Sequence, residues 1–558
     1  MKNKITKLRV IDFFCGAGGF SEGFRQQGFD VIMGLDYWQP AIDTHNLNHG
    51  LNDTTKNVLD FWGKSSGDVS EINKMPKAEV LVGSPSCVSF SMSNKAGKAD
   101  KTNGIRLIET YLRVVAVKKH EKKSVLKAWY MENVPQSRPH VKIQYSFMDL
   151  NLKEWALENE MRPDDIAVTT NGAIHNARDF GAPQGRKRFV AGEWVATNEF
   201  LEPLITQVEY VKLREIKSKM PKPNETNKKK VWKDPNYPSI ALETEKISDH
   251  FYDSGIYKIE WEKADYLKTN HPFMGRMSFP ENEDRPSRTI LATKSASSRE
   301  ALIYRSEYDR KGDGEYRSPT IREIACLMGF PYVYQFVGSE GVKWKQIGNA
   351  VCPHMGSALA KAIRRKMQIS EIKHDRIDFS KLSNNYKKVN NLNTFKENKF
   401  DNPRKRNINA RFRRHPLKLG NMTVDLMNYH PENKDQDVAK TWYVGVFFGT
   451  GDNHKVKILK KKELPIVEKI LSQNFPRFSI YKKFVDEISK RQNLQKSYEE
   501  DLYFKDKGNP IEIVKVLAEK IKIHDKYFKE IETNGFFPKE TVPLAQIMAM
   551  YGLLKLVY

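Results

Sequence analysis

Three chemically capable side chains stand just past short apolar runs. Asp36 follows residues 31–35. Glu132 follows residues 128–131. Cys87 sits in Gly83-Ser-Pro-Ser-Cys87, after the run 80–82. A thiol on a polar loop shaped by glycine and proline is partly exposed. It becomes a nucleophile when a nearby cation or helix end lowers its ordinary pKa of about 8.5. A carboxyl at a strand end inside a cleft can hold or deliver a proton, as expected of Glu132. A carboxylate in the position of Asp36 can accept hydrogen bonds from ribose hydroxyls. Two further segments join them. Asp12-Phe-Phe-Cys-Gly-Ala-Gly-Gly19 is a glycine turn between a strand and a helix, and Gln184-Gly-Arg-Lys-Arg188 sets Arg186 and Arg188 on one side of an extended stretch. Glycines let a backbone approach a ligand, and a helix N-terminus favours an anion. The arginine pair suits a phosphate or a base carbonyl. Taken singly, each residue also fits a plainer role: a surface acid, a cap, an inert thiol, a tight turn or a solvated edge.

The elements that must position them alternate. Apolar runs at 8–14, 31–35, 80–82 and 128–131 are separated by helical patterns, one of them marked by Phe20, Phe24 and Gly28. That order predicts an α/β fold with a mostly parallel sheet covered by helices. Ligands of such sheets bind beyond the carboxyl ends of the strands, so Asp36, Cys87 and Glu132 should face one cleft. The glycine spacing is not that of a dinucleotide-binding turn. From about 200 to 283, proline, lysine and asparagine rise and helical periodicity fades, which reads as a separate irregular domain. Helical pattern returns from 318 to 365, with Thr320-Ile-Arg-Glu323 as a start and residues 355–363 as a closing helix. Residues 370–400 read as a linker. The remainder carries strands near 442–448 and 456–459 and ends in amphipathic helices.

The chain has 558 residues, a length that suggests three to four domains. Lys plus Arg number 93 against 69 Asp plus Glu, a net charge of +24. A field of that sign favours polyanions, above all nucleic acid. No apolar run is long enough for a membrane span, and residues 1–9 lack the apolar stretch of a secretory signal. The four cysteines lie far apart at 15, 87, 326 and 352, which excludes a disulfide framework and a zinc knuckle. A reducing, cytoplasmic setting and no metal are expected.

The order and spacing of these segments resemble those of the cytosine-carbon-5 DNA methyltransferase family, over residues 8 to about 366 apart from the middle domain. Further segments carry the likeness: Asn57-Val-Leu-Asp60, Arg285-Pro-Ser-Arg-Thr-Ile290, Thr320 to Pro331, and Gln346-Ile-Gly-Asn-Ala-Val-Cys-Pro353. The resemblance implies an S-adenosylmethionine-dependent methyltransferase fold acting on double-stranded DNA. It makes Cys87 the nucleophile, Glu132 the group on ring nitrogen 3, Arg188 the holder of the base carbonyl, and Arg186 a support for the loop or a phosphate. It assigns Asp12, Phe14, Gly16, Gly18, Gly19, Asp36, Asp60, Asn349 and Val351 to the cofactor, with Asp36 on the ribose and Asp60 on the adenine. Two departures stand out. Pro85-Ser86-Cys87-Val88 replaces the usual Pro-Pro-Cys-Gln, and Cys15 stands in the turn.

The implied domains are 1–194 for catalysis and cofactor, 195–284 for target recognition, 285–369 closing back on the cofactor site, and 370–558 as linker and accessory α+β domain. A monomer is expected. The setting is a restriction–modification system, with a cognate endonuclease as system partner, or a phage or prokaryotic orphan enzyme. Rival readings are a tRNA cytosine methyltransferase of related fold and a non-catalytic DNA-binding homologue; the intact Cys87, Glu132 and Arg188 speak against the latter. In the tail, Arg404-Lys-Arg406 and Arg411-Phe-Arg-Arg414-His415 form a basic patch, and a fused nuclease finds no convincing acid–lysine motif.

Overall fold

The structure, a computed structural model, describes residues 7–86, 90, 101–192, 209–270, 275–383, 413–414, 418–419, 422–428, 441–448, 455–490, 494, 510–522 and 529–558. The chain forms two compact units, Met1–Asp401 and Asn402–Tyr558. The linker expected from 370 therefore starts too early. Ile377, Phe379 and Leu382 are buried in the core of the first unit, and the Arg25 guanidinium lies over the Phe379 ring at 5.2 Å.

The first unit is built on a six-stranded sheet. Its parallel strands are β1 (Arg9–Phe13), β2 (Asp30–Leu35), β3 (Val80–Gly83) and β4 (Ala128–Asn133). Beyond β4 lie β6 (Lys187–Gly192), antiparallel to it, and β5 (Asn171–Asn176), antiparallel to β6. The order is β2-β1-β3-β4-β6-β5. All four parallel strands are those the sequence predicts. Successive side chains point to opposite faces, so each strand feeds two cores. Val10, Val82, Tyr130 and Val190 pack on one face with Phe20 and Phe24 of α1 (Gly19–Gln26). Ile11, Leu81, Met131 and Phe189 pack on the other with Ile108, Leu112 and Val115 of α3 (Thr102–His120). A helix α2 (Gln39–His49) follows β2. The chain leaves β1 toward both neighbours, β2 and β3, so the crevice at their carboxyl ends is where a ligand binds in this class of sheet.

The region read as irregular contains two helices, α4 (Leu213–Lys219) and α5 (Lys258–Thr269). The pattern of α5 escapes a periodicity reading because its inward stripe is thin. Ala264 and Trp261 meet a small satellite core, while Lys268 is buried against Glu281 and the Ala301 carbonyl.

The return segment starts where the sequence places it. Thr320 Oγ1 accepts from Glu323 N–H at 3.2 Å, and the Glu323 carboxylate accepts from Thr320 N–H at 2.7 Å, a reciprocal cap. Helix α6 (Ile321–Met328) ends at Gly329 with φ 96, and α7 (Glu340–Asn349) and α8 (Pro353–Lys366) follow. Helix α8 lies against α1 at contact distance. A Cβ on Gly19 would fall 1.9 Å from the Val351 carbonyl oxygen, and one on Gly23 would fall 2.5 Å from that of Pro353. Gly18, with φ +82, leaves room for Tyr334 and the rings of His45 and His49. On their Cβ sides Gly18 and Gly19 thus admit the returning chain.

The second unit has a sheet of β7 (Met422–Met427), β8 (Tyr443–Phe448) and β9 (Lys455–Leu459), extended by two short strands at Arg413–Arg414 and Lys418–Leu419. Helices α9 (Leu464–Asn474), α10 (Phe478–Ser489), α11 (Pro510–Lys522) and α12 (Leu544–Val557) complete it. Helix α12 is buried from Leu544 through Leu554, so it is a central helix, apolar all round, rather than the amphipathic one expected. Most of the basic patch 404–415 lies outside the described residues. Among the described residues no helix is long and apolar enough to cross a membrane.

Candidate active site

A cleft opens at the carboxyl ends of β1, β2, β3 and β4. Its walls include Asp12, Phe14, Cys15 and Gly16 from the first strand and its turn, and Asp36 from β2. Ser84 and Ser86 follow β3, Glu132 comes from β4, Arg186 and Arg188 from the approach to β6, and Asn349 and Val351 from the return segment. Segments more than 300 residues apart in sequence thus converge on one site; the strand-end positions of Asp36 and Glu132 predict their part of it. Cys87 lies outside the described residues.

The polar floor is an ion pair. Arg188 Nε stands 2.9 Å from Glu132 Oε1, and Ser84 Oγ donates to Glu132 Oε2 at 2.8 Å. Glu132 is 4% exposed, so the arginine supplies the countercharge that a buried carboxylate needs. The next residue ties the floor to the loop before Cys87. Asn133 Nδ2 donates to the Pro85 carbonyl at 3.0 Å, and Ser84 N–H donates to that of Phe13 at 3.0 Å. Ser84 and Pro85 are therefore held from β1 and β4 together.

Arg186 has a different place from the one expected. Its side chain is buried, and it donates to the carbonyls of Ile290 at 3.1 Å, Gly348 at 2.9 Å and Ala350 at 2.9 Å. It is a clasp between β6 and the two returning segments, not a phosphate ligand.

Across the cleft, Asp36 accepts from Gly16 N–H at 3.0 Å and from Trp38 N–H at 2.9 Å, which locks the glycine turn to the end of β2. Burial nonetheless pushes its carboxyl up from the ordinary value. Tyr37 beside it is 73% exposed at the cleft mouth, and Lys345 lies over the Trp38 ring at 4.7 Å. Beneath the turn, Asp12 Oδ2 accepts from Ser21 N–H at 3.2 Å and Ser21 Oγ at 2.7 Å, and Ser21 Oγ lies 2.9 Å from His45 Nε2. Asp12 Oδ1 is buried without a hydrogen-bond partner.

Burial pushes the Asp12 carboxyl up to about 7, against the two Ser21 bonds that pull it down, and lowers His45 to about 3. A carboxyl raised on folding contributes stability that is present below its unfolded value of 3.8 and lost as pH rises through about 7. Subtracting the unfolding free energy of Asp12→Asn from that of the wild type cancels the opposite trend of His45, which both proteins share. The difference should fall between about pH 4 and pH 7 and level off above. Urea unfolding across that range checks this, and a flat difference would mean Asp12 is ionised throughout.

Asp60 does not line the cleft. It sits in the short turn Val58–Trp62, 3.2 Å from Lys56 Nζ, while the Lys56 N–H donates to the Asp36 carbonyl at 2.8 Å. Among the described residues no group of His, Cys, Asp or Glu is placed to hold a metal ion. Sequence reading missed Ser84, Ser21 and His45. Ser84 lies within the quoted loop, but a serine three residues before a cysteine carries no spacing signal. Ser21 and His45 meet only because α1 and α2 pack together.

Residues 8–365 match the family model described as C-5 cytosine-specific DNA methylase. The chain belongs to that family. It is a DNA (cytosine-5-)-methyltransferase. Relatives include the type II methyltransferase M1.HphI of Haemophilus parahaemolyticus, 26% identical over 65% of this chain and 88% of that protein. Another is the type II methyltransferase M.MthTI of Methanothermobacter thermautotrophicus, 26% identical over 65% of this chain and 98% of that protein. Among solved structures, the S. pombe Dnmt2 methyltransferase aligns at 15% identity and TM-score 0.41, covering 65% of this chain and 100% of that one.

Proposed function

We propose that the enzyme methylates carbon 5 of cytosine in a specific sequence of duplex DNA, through a covalent Cys87 adduct on a base turned out of the stack. The buried Glu132–Arg188 pair, held by Ser84 on the loop that leads into Cys87, is the observation that carries this reading. Carbon 5 of cytosine is a poor nucleophile. Bonding of the Cys87 thiolate to carbon 6 turns the ring into an enamine and makes carbon 5 nucleophilic. Glu132 holds a proton at ring nitrogen 3 as negative charge develops there, and Arg188 holds the ring carbonyl. Once carbon 5 carries the methyl group, its proton passes to water and the electron pair it leaves expels the Cys87 sulfur, which restores the ring and the thiolate. Extruding the base costs a few kcal/mol.

S-adenosylmethionine, when bound, supplies the methyl group. The cleft residues fit it. A Cβ on Gly16 would meet nothing nearer than 3.9 Å, which leaves the backbone open to a ligand, and Asp12 Oδ1 lacks a partner. Asp36 would hold the ribose, and Phe14, Asn349 and Val351 would form the remaining wall. Asp36→Ala should remove charge-assisted hydrogen bonds worth about 1.5–3 kcal/mol and raise the cofactor dissociation constant roughly ten- to hundredfold. Calorimetry is the measurement, and unchanged affinity would move the ribose contact elsewhere.

Residues 195–284 are the proposed target-recognition domain, with lysines between 212 and 233 suited to phosphates rather than bases. The relatives named type II methyltransferases favour a restriction–modification setting. Incubation with labelled S-adenosylmethionine and either duplex DNA or tRNA, followed by base-resolution mapping, tests the reading. Label on cytosine carbon 5 at one duplex sequence is expected. Label on tRNA alone would overturn the duplex substrate.

A further inference from the structure

A second concavity, of ≈ 390 Å³, lies in the first unit and is lined by Arg178, Gly185, Arg285, Ser287, Arg288 and Glu300, among others. We propose that it seats a backbone phosphate of the DNA duplex, as an anchor separate from the catalytic cleft. The proposal rests on the duplex reading above. Its floor is the peptide of Gly185, between Gln184 and Arg186, whose side chains turn inward to the Leu327 carbonyl and to the returning segments. Gly185 faces the other way. A Cβ there would find no atom closer than 3.9 Å, so the floor is open.

The frame is tied from both sides. Gly185 N–H donates to the Ser287 carbonyl at 2.8 Å, Ser287 N–H donates to that of Pro183 at 3.0 Å, and Thr289 Oγ1 donates to that of Gly185 at 2.5 Å. The charges around it are unequal. Arg288 is committed to Glu281 and the Ala301 carbonyl, and Glu300 stands 3.2 Å from Arg299. Two arginines are less committed, Arg285 and, despite its ion pair with Asp179, Arg178. Arg178 lies over the Tyr210 ring at 4.3 Å, and its buried Nε has no hydrogen-bond partner, with Asp179 3.6 Å away. Arg285 is exposed, and among the described residues its guanidinium meets no carboxylate. A stacked guanidinium keeps its edge donors free, and the fork of donors matches phosphate geometry. Duplex DNA presents a phosphate charge about every 1.7 Å of axis. The +24 chain draws such a polyanion in, and the segment 185–188 lines both concavities, Gly185 the second and Arg186 and Arg188 the cleft.

The test is fluorescence anisotropy with the full chain and two duplexes of different sequence, between 50 and 200 mM salt. Arg178→Gln and Arg285→Gln should each weaken both duplexes alike and flatten the slope of log affinity against log salt by roughly 0.9, the double variant by about twice that. Calorimetry with S-adenosylmethionine reports on the fold of each variant. Variants with wild-type cofactor affinity and an unchanged slope would overturn the site. Should either arginine variant unfold, Gly185→Glu places a negative charge in open space and must weaken duplex binding; unchanged binding would overturn the site equally. Inorganic phosphate at matched ionic strength should not compete. Competition that disappears in Arg285→Gln would make this a free-anion site. A wild-type chain that binds no duplex would instead sink the duplex reading itself.

Discussion

Replacing Cys87 with alanine is expected to remove methyl transfer while leaving DNA binding largely intact. The thiolate alone raises carbon 5 to a nucleophile, so no other group in the cleft can stand in for it. Removing a nucleophile that acts as a unit with its partners costs on the order of 10⁴–10⁶ in turnover. The surroundings are unaffected by the change, because the loop before Cys87 is held independently. Asn133 grips the Pro85 carbonyl, and Ser84 bonds both Glu132 and the Phe13 carbonyl. This anchoring also accommodates the departure at Ser86. The usual proline stiffens the loop from within, whereas here the two residues before Ser86 are held from β1 and β4. Transfer of labelled methyl groups and duplex binding by anisotropy, both against wild type, read the two effects separately. Turnover within tenfold of wild type would reject Cys87 as the nucleophile.

The catalytic half was legible because its chemistry sits at strand ends. Asp36 and Glu132 each follow an apolar run, and a parallel sheet brings such ends to one crevice whatever the intervening sequence. The return of Gln346 to Pro353 was legible only through family resemblance. Nothing in a stretch of ordinary composition announces that its Val351 carbonyl will press against Gly19. What escaped notice depends on packing between distant elements. Gly18 and Gly19 look like ligand-contacting glycines, yet on their Cβ sides the atoms that need their space are protein atoms. Arg186 and Arg188 are two residues apart and look alike in sequence, yet one is a buried clasp and the other pairs with Glu132. The boundary after 370 was misplaced because Asn- and Lys-rich composition masked Phe379 and Leu382, which are core residues. Helix α12 was misread because an apolar helix lacks a polar face only when a whole domain wraps around it.

The clasp role of Arg186 has a large consequence of its own. Its guanidinium is 2% exposed and satisfies three carbonyls, from Ile290, Gly348 and Ala350, that come from two returning segments. Arg186→Met keeps much of the volume and removes every donor. Each buried carbonyl left without a partner costs about 1–3 kcal/mol. The bonds share one donor group and are not independent, so a loss of about 3–5 kcal/mol in unfolding free energy is expected, a large part of the stability of a typical domain. The segment carrying Asn349 and Val351 would also lose its tether to β6. Cofactor affinity should therefore fall even though Arg186 is assigned no cofactor contact. Lysine at this position should recover only part of the loss, because a point charge cannot span three carbonyls as a planar fork does. Urea unfolding of wild type, Arg186→Met and Arg186→Lys gives the stability order, and calorimetry at a temperature where all three are folded gives the cofactor affinities. If Arg186→Met keeps wild-type stability and cofactor affinity but loses duplex binding, the arginine belongs to the DNA contact after all. If it loses stability and cofactor affinity together, the last segments of the catalytic unit are held in place by this one side chain.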